Sequence, residues 1–445
     1  MRAGSDIFHR DFKAEPWWWE AWHPSNALSQ DPPARTHVVV VGAGYGGLST
    51  ALELRRNGID CVVLERGDFG VGASTRNGGM ISGGTNVAKG LGGKNPKVEA
   101  EFERNKASFL GSGAESLATL IDLIGREKID CGLHTNGRFV GAWTPGHYRE
   151  QAAKVAMFNE YGHVGAEMIP RERMREMMAS DYYYGGMYVK LGGNLHPARY
   201  YKGLLEAAHR QGAVLCARLE AERIERVKNG SGGGWRVLTA KGPIACREVV
   251  IATNGYTGDL TPRLKRKVVP VASHIIATQE LPMKGSELIP HHHSIGDTKR
   301  VLTYYRLSPD GRQLIFGGRA RFTAAPPEVS APILYQYMID RFPQLEGIRI
   351  THVWTGNVAF ALDSMSHMGQ DDGMHYLLGC NGSGVAMMTY LGWQAARKIA
   401  GVMNYACSFD RQEFPDHLLY SGNTWFLPIV GGWYRLRDSL DRLAS

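Results

Sequence analysis

The chain contains no run of apolar residues approaching the ~18–20 that a membrane-crossing helix requires, although 43% of its residues are hydrophobic. Its opening residues, MRAGSDIFHRDFKAEPWWWEAW, lack the apolar core of a secretory leader, so a cytoplasmic protein is expected. Cysteine is scarce and scattered: the six stand at 61, 131, 216, 246, 380 and 407, with no C-x-x-C pair and no His/Cys cluster. That spacing excludes a zinc ribbon, a redox dithiol and a disulfide framework. Three consecutive histidines, His291, His292 and His293, point in different directions and read as a polar loop, so no metal is expected. The net charge of +8 is spread along the chain, and Lys265-Arg266-Lys267 is its one short basic cluster. No basic stripe interleaved with aromatics is present, so no nucleic-acid partner is expected. Internal repeats and low-complexity tracts are also absent.

What is present begins at Val38–Val41, a β-branched run that leads into Gly42-x-Gly44-x-x-Gly47. An apolar-periodic stretch follows (Leu48, Ala51, Leu52, Leu54), then a second apolar strand over 61–64 that ends in Glu65. Strand, glycine turn, helix, strand and acid in this order form a dinucleotide site. Gly42 allows the tight turn, Gly44 lets backbone approach a pyrophosphate, and Gly47 lets helix and strand pack closely. The helix N-terminus offers unpaired N–H groups and partial positive charge to phosphates. Glu65, eighteen residues beyond Gly47, stands where a carboxylate accepts from ribose hydroxyls.

The segment Ala73-Ser74-Thr75-Arg76-Asn77-Gly78-Gly79 starts eight residues after Glu65 and brings hydroxyls, a guanidinium and an amide beside the phosphate turn. A nicotinamide dehydrogenase has no use for a second phosphate loop there, whereas FAD continues past the first loop. No second complete G-x-G-x-x-G with its acid follows, and no C-x-x-x-x-C occurs, which removes two-dinucleotide and disulfide reductases. The remaining chemistry is direct reduction of a flavin by an organic donor, with hydride delivered to N5.

The periodicity predicts an irregular arm over 1–36 anchored by Trp17, Trp18, Trp19 and Trp22, and helices over 98–127 and 197–212. Strands are expected at 132–142 and 185–189, bracketing a helical insert around 148–180. A hairpin joins 224–227 to 235–239 through NGSGGG, and a buried strand runs to Ala252. Strands then dominate at 268–278, 301–307, 313–319 and 350–354. A strand over 374–378 leads through a Gly-rich turn into a helix reaching Ala400. The fold class expected is α/β, a Rossmann-like FAD-binding domain interleaved with a mostly antiparallel β-sheet substrate domain. The FAD-binding domain takes 37–97, 197–262 and 368–410, and the substrate domain takes 98–196 and 263–367. Residues 1–36 form the arm and 411–445 a C-terminal tail, whose Trp425–Tyr434 stretch docks on its own core or makes a subunit contact.

The ordered set WWWEAW, VVVVGAGYGGLSTALEL, GASTRNGG, VVIATNGYTGDL, YYRLSPDGRQLIFGGR, WTGNVAFALDSMSHMG and NTWFLPIVGGWYRLRD spans nearly the whole chain. In it the chain resembles the D-amino-acid-oxidase-type FAD oxidoreductases of the glycine–sarcosine oxidase and gamma-glutamylputrescine oxidoreductase-like branch. The resemblance implies a glutathione-reductase-type FAD fold and oxidation of a primary or secondary amine, of gamma-glutamyl amine or N-alkyl amino acid type. The imine formed hydrolyses to a carbonyl compound. Arg76 stands where covalent members carry a histidine, which implies noncovalent FAD. The expected FAD contacts are Gly42, Ala43, Gly44, Tyr45, Gly46, Gly47, Glu65, Arg66, Ala73, Ser74, Thr75, Arg76, Asn77, Gly78, Gly79 and Met80. Further along they are Ile224, Thr253, Asn254, Gly255, Trp354, Gly356, Gly382, Ser383, Gly384, Val385 and Ala386.

Where glycine oxidases place a carboxylate-clamping arginine after W-x-G, this chain has Asn357, so the substrate's charge is expected elsewhere. Ile315 matches the lysine that assists reaction with oxygen in sarcosine oxidases, which leaves the acceptor open between O2 and another molecule. Arg319 would hold an anion by paired hydrogen bonds, or else bridge the domains. His274 would bind or deprotonate the substrate amine, or serve only the structure. His367 approaches the flavin in relatives. Tyr304, Tyr305 and Trp354 would wall the site and attract an ammonium, or else pack in the core. Hydroxy-acid dehydrogenation and a flavin-binding subunit of a partner-dependent complex are the alternatives.

Overall fold

The computed structural model describes residues 7–84, 96–227, 233–403, 407–410, 413–415 and 420–443. Most of the NGSGGG loop lies outside the described residues. Two sheets organise the chain. The first has six strands in the order His367–Asp371, Met374–Leu378, Glu248–Ile251, Val38–Val41, Cys61–Leu64 and Val214–Cys216. All pair in parallel except the edge strand His367–Asp371. Val38 to Val41 are buried without alternation, as expected of a parallel strand covered on both faces. The helices Tyr45–Arg56 and Gly384–Ile399 pack so closely that a Cβ on Gly392 would stand 2.2 Å from the Gly46 carbonyl oxygen. The turns after Val41, Ile251 and Leu378 gather at the carboxyl edge of this sheet, where open α/β sheets bind ligands.

The second sheet has nine strands. Their order is Phe8–Lys13, Ile350–Ala361, Val268–Thr278, Leu314–Gly318, Thr303–Leu307, Ser294–Asp297, Arg138–Gly141, Gly186–Val189 and Ala166–Ile169. One face carries Ile276, Tyr305, Phe316 and Val353 into a core shared with the helix Pro327–Arg341. Beneath it Arg341 Nη2 donates to Asp297 Oδ2 at 2.9 Å, with both side chains fully buried. The opposite face turns towards the first sheet.

Three expectations need correction. The arm holds a strand, Phe8–Lys13, parallel to Ile350–Ala361, and a 3-10 turn over Trp17–Glu20. The insert is a helix only over Pro145–Gly162, after which Ala166–Ile169 pairs with Gly186–Val189. Ala, Glu and Met favour helix locally, but a strand partner distant in sequence overrides them. The hairpin gains a third strand, Gly242–Cys246. The tail forms a helix, Leu427–Leu443, held by Val301 N–H donating to Asp438 Oδ2 at 2.9 Å and by Arg300. All six cysteines are buried and free. No helix among the described residues is long and apolar enough to cross a membrane.

Candidate active site

A cleft of about 2080 Å3 runs from the carboxyl edge of the parallel sheet to the inner face of the nine-stranded sheet. It is larger than a drug-sized ligand needs. At one end lies the glycine turn. Gly42 takes φ +102°, and its N–H donates to the Leu64 carbonyl at 2.8 Å. A Cβ on Gly47 would stand 1.9 Å from the Gly42 carbonyl oxygen, so only glycine lets this helix seat on its strand. The helix starts at Gly44 without a side-chain cap. Tyr45 N–H donates to Ser74 Oγ at 3.1 Å, which ties the second loop to the helix start. Glu65 accepts from the N–H groups of Ala43 and Gly67, both at 3.1 Å, and burial raises its pKa.

The expected contacts divide cleanly. Gly42 to Gly46, Glu65, Arg66, Ala73, Ser74, Arg76, Asn77, Gly78 and Met80 line the cleft. So do Thr253 to Gly255, Gly356, and Gly382 to Ala386 at the start of the helix Gly384–Ile399. Gly47 and Gly79 do not line it and instead shape its turns. Thr75 is buried, accepting from Trp19 Nε1 at 2.9 Å. Trp354 Nε1 donates to the Arg76 carbonyl at 2.8 Å, and Trp18 Nε1 to the Asn77 carbonyl at 2.9 Å. The tryptophans therefore fix the loop from behind. Arg76 rests over Trp19 and donates to the Val71 carbonyl at 2.8 Å. Ile224 is corrected: its strand lies in the three-stranded sheet, and Glu220, Ala221 and Glu222 line the cleft in its place.

The other end of the cleft is the inner face of the large sheet. Tyr304 and Tyr305 are adjacent, so strand alternation sends them to opposite faces. Tyr304 lines the cleft and shares a 2.7 Å hydrogen bond with Ser273 Oγ. Burial pushes its pKa up to about 12, so the phenol keeps its proton at neutral pH. Tyr305 points the other way, stacked on Phe316 and donating to Tyr183 Oη at 3.3 Å. The expectation for Tyr305 is thus corrected, because the cleft-facing ring is that of its neighbour.

His274 also turns from the cleft. Its ring nitrogens meet Thr355 Oγ1 at 2.8 Å and the Thr323 carbonyl at 3.2 Å, and Ser273 beside it faces the cavity. His367 lies in the first sheet, bonded to the Asp363 carboxylate at 2.9 Å and stacked on Phe414. It too is outside the cleft wall. Arg319 stands on the wall, with its Nη1 donating to the Arg300 carbonyl at 3.1 Å. It has no carboxylate partner among the described residues. Burial lowers its pKa to about 10, which leaves it charged at neutral pH. Ser273, Thr298, Arg300 and Arg138 also line this end and were not singled out from sequence. Their signal was weak, since each is a single polar residue in or beside an apolar strand.

The glycine cradle, the uncapped helix start and Glu65 suit the pyrophosphate and ribose of a dinucleotide, and the cleft leaves room beyond them for a second molecule. Comparison with known proteins agrees. A family model described as FAD dependent oxidoreductase matches residues 37–398. The chain is 30% identical over 410 residues to gamma-glutamylputrescine oxidoreductase of Escherichia coli (strain K12), covering 91% of this chain and 93% of that one. It is 31% identical over 432 residues to the probable oxidoreductase OrdL of Rhizobium meliloti (strain 1021), covering 95% and 97%. Among solved structures, glycine oxidase from Geobacillus kaustophilus superposes with a TM-score of 0.70 at 20% identity, over 87% of this chain and all of that one. The protein belongs to the DAO family of FAD-dependent oxidoreductases.

Proposed function

We propose that the protein oxidises the C–N bond of a primary or secondary amine bearing a carboxylate, of gamma-glutamyl amine or N-alkyl amino acid type. One observation carries the reading: Arg319 presents a charged guanidinium to the cleft, held by the Arg300 carbonyl and the rings of Phe322 and Phe360, with no carboxylate partner among the described residues. A buried cation without a counter-ion is costly, and an anionic substrate group relieves that cost. Bound FAD would supply the two-electron acceptor, taking both electrons with one proton as a hydride.

The remaining work belongs to side chains. Arg319 fixes the carboxylate by paired hydrogen bonds. The protonated Tyr304 hydroxyl, braced by Ser273, orients the amine, and its ring face attracts an ammonium before deprotonation. Val271, Val358 and Phe360 on the same wall exclude water. The names of the relatives, an oxidoreductase of gamma-glutamylputrescine and an oxidase of glycine, support an amine donor. Arg76, Asn77 and the glycine turn would hold FAD without a covalent link.

The test is anaerobic loss of the bound flavin's visible absorbance against carboxylated amines, neutral amines and hydroxy acids, followed by admission of air. Bleaching by carboxylated amines is expected, and bleaching by hydroxy acids alone would move the donor to a C–O bond. The tyrosine pair gives a second check. Tyr304→Phe is expected to lower kcat about tenfold or more with an unchanged Tm, the scale of one positioned polar contact. Tyr305→Phe should leave kcat alone. An unchanged kcat in Tyr304→Phe would remove the tyrosine from the reaction.

A further inference from the structure

A second guanidinium lies in the same cleft, and neither the FAD site nor the Arg319 anchor uses it. Arg138 opens the strand Arg138–Gly141 and is only 7% exposed. It lines the cleft, its side chain makes no hydrogen bond or ion pair among the described residues, and its Nε is buried without a partner. The fold makes room for it. A Cβ on Gly296 would stand 3.1 Å from Arg138 Nη2, and one on Gly192 3.5 Å from Arg138 Cβ. A slot of glycines around a buried, unpaired cation is a costly arrangement for the empty protein. Burial lowers its pKa to about 10, which keeps it cationic at neutral pH. The phosphate cradle cannot supply the missing anion, because it lies at the edge of the other sheet.

Strand register shows what the anion belongs to. Val140 pairs with Gly296, Gly296 with Tyr304, and Tyr304 with Gly317. Arg138 stands two residues from this row on one side, and Arg319 two residues from it on the other. Four residues along the strands and three strand spacings put their α-carbons on the order of 20 Å apart. Tyr304 lies between them. We propose that Arg138 is a second anion site and that the substrates are elongated amines with an acidic group at each end, one on Arg319 and one on Arg138. This rests on the amine-oxidising reading.

Holoenzyme and its Arg138→Met and Arg138→Lys variants test it in two ways. In thermal unfolding, glutarate or adipate should raise the Tm of the wild type more than butyrate or hexanoate does. Arg138→Met should lose that difference while its own ligand-free Tm stays level or rises, since an unpaired buried charge has been removed. In turnover, Arg138→Met should lower kcat/KM by about 30-fold or more for amines with two carboxylates. Amines with one carboxylate should change less than about twofold, and Arg138→Lys should restore part of the loss. Equal losses on both classes, or a dicarboxylate response that survives in Arg138→Met, would overturn the second site. If the wild type oxidised no amine, the functional reading would fall, yet the dicarboxylate response would still decide Arg138. If amines were oxidised with Arg138 indifferent, only the second site would fall.

Discussion

Gly47→Ala is expected to purify as a colourless protein. The added methyl would stand 1.9 Å from the Gly42 carbonyl oxygen and 3.1 Å from its carbonyl carbon, both rigid backbone atoms. The helix Tyr45–Arg56 must move off its strand, and its N-terminus then leaves the place where a pyrophosphate sits. A displacement on the order of 1 Å in a preorganised site carries a penalty of roughly 100-fold, so FAD affinity should fall at least that far. Gly125→Ala is the control, because nothing lies within 4 Å of a Cβ there. It should stay yellow. Titration of refolded apoprotein with FAD measures both, and circular dichroism confirms that each remains folded. A Gly47→Ala protein with undiminished FAD affinity would mean that the glycine turn is not the phosphate cradle.

The second large effect concerns Arg319. Truncating one partner of a buried, hydrogen-bonded charge pair costs about 2–5 kcal/mol, roughly 30- to several thousand-fold. Arg319→Ala should lower kcat/KM by that range for amines bearing a carboxylate, and Arg319→Lys should recover part of it. Neutral amines should lose little. The variant should fold, since among the described residues the guanidinium's one hydrogen bond is to the Arg300 carbonyl. Steady-state kinetics on matched charged and neutral amines reads the difference. An unchanged kcat/KM for every carboxylated amine would remove Arg319 as the anchor and leave the cleft without its stated reason for preferring anions.

The half of the cleft around the glycine turn was legible in the sequence because its signals are local. A positive-φ glycine, a helix start and a strand-ending acid fall within a few dozen residues, and each is dictated by backbone geometry rather than by distant partners. Gly42, Gly44, Glu65 and Ser74 needed no tertiary information. The substrate half depends on which way a strand faces, and a shift of one residue inverts it. Tyr304 and Tyr305 show this directly: both aromatic, both in one strand, separated only by the face each occupies. Ser273 and His274 repeat the lesson, with the more reactive-looking residue turned from the cleft. His367 reads as flavin-facing by position, yet a hydrogen bond to the Asp363 carboxylate and the ring of Phe414 claim it. Arg138 was invisible because its meaning lies in a side chain with no partner among the described residues, which no linear pattern encodes. The strand Ala166–Ile169 was hidden for a related reason, since its residues favour helix until Gly186–Val189 pairs with them.

The measurement that bears most directly on C–N oxidation is the fate of the substrate nitrogen. Holoenzyme is mixed anaerobically with a carboxylated amine labelled at nitrogen, and the products are separated and weighed by mass spectrometry. One carbonyl product and one released labelled ammonia or amine are expected for each flavin reduced. Flavin reduction that left every original carbon–nitrogen bond of the substrate intact would contradict C–N oxidation.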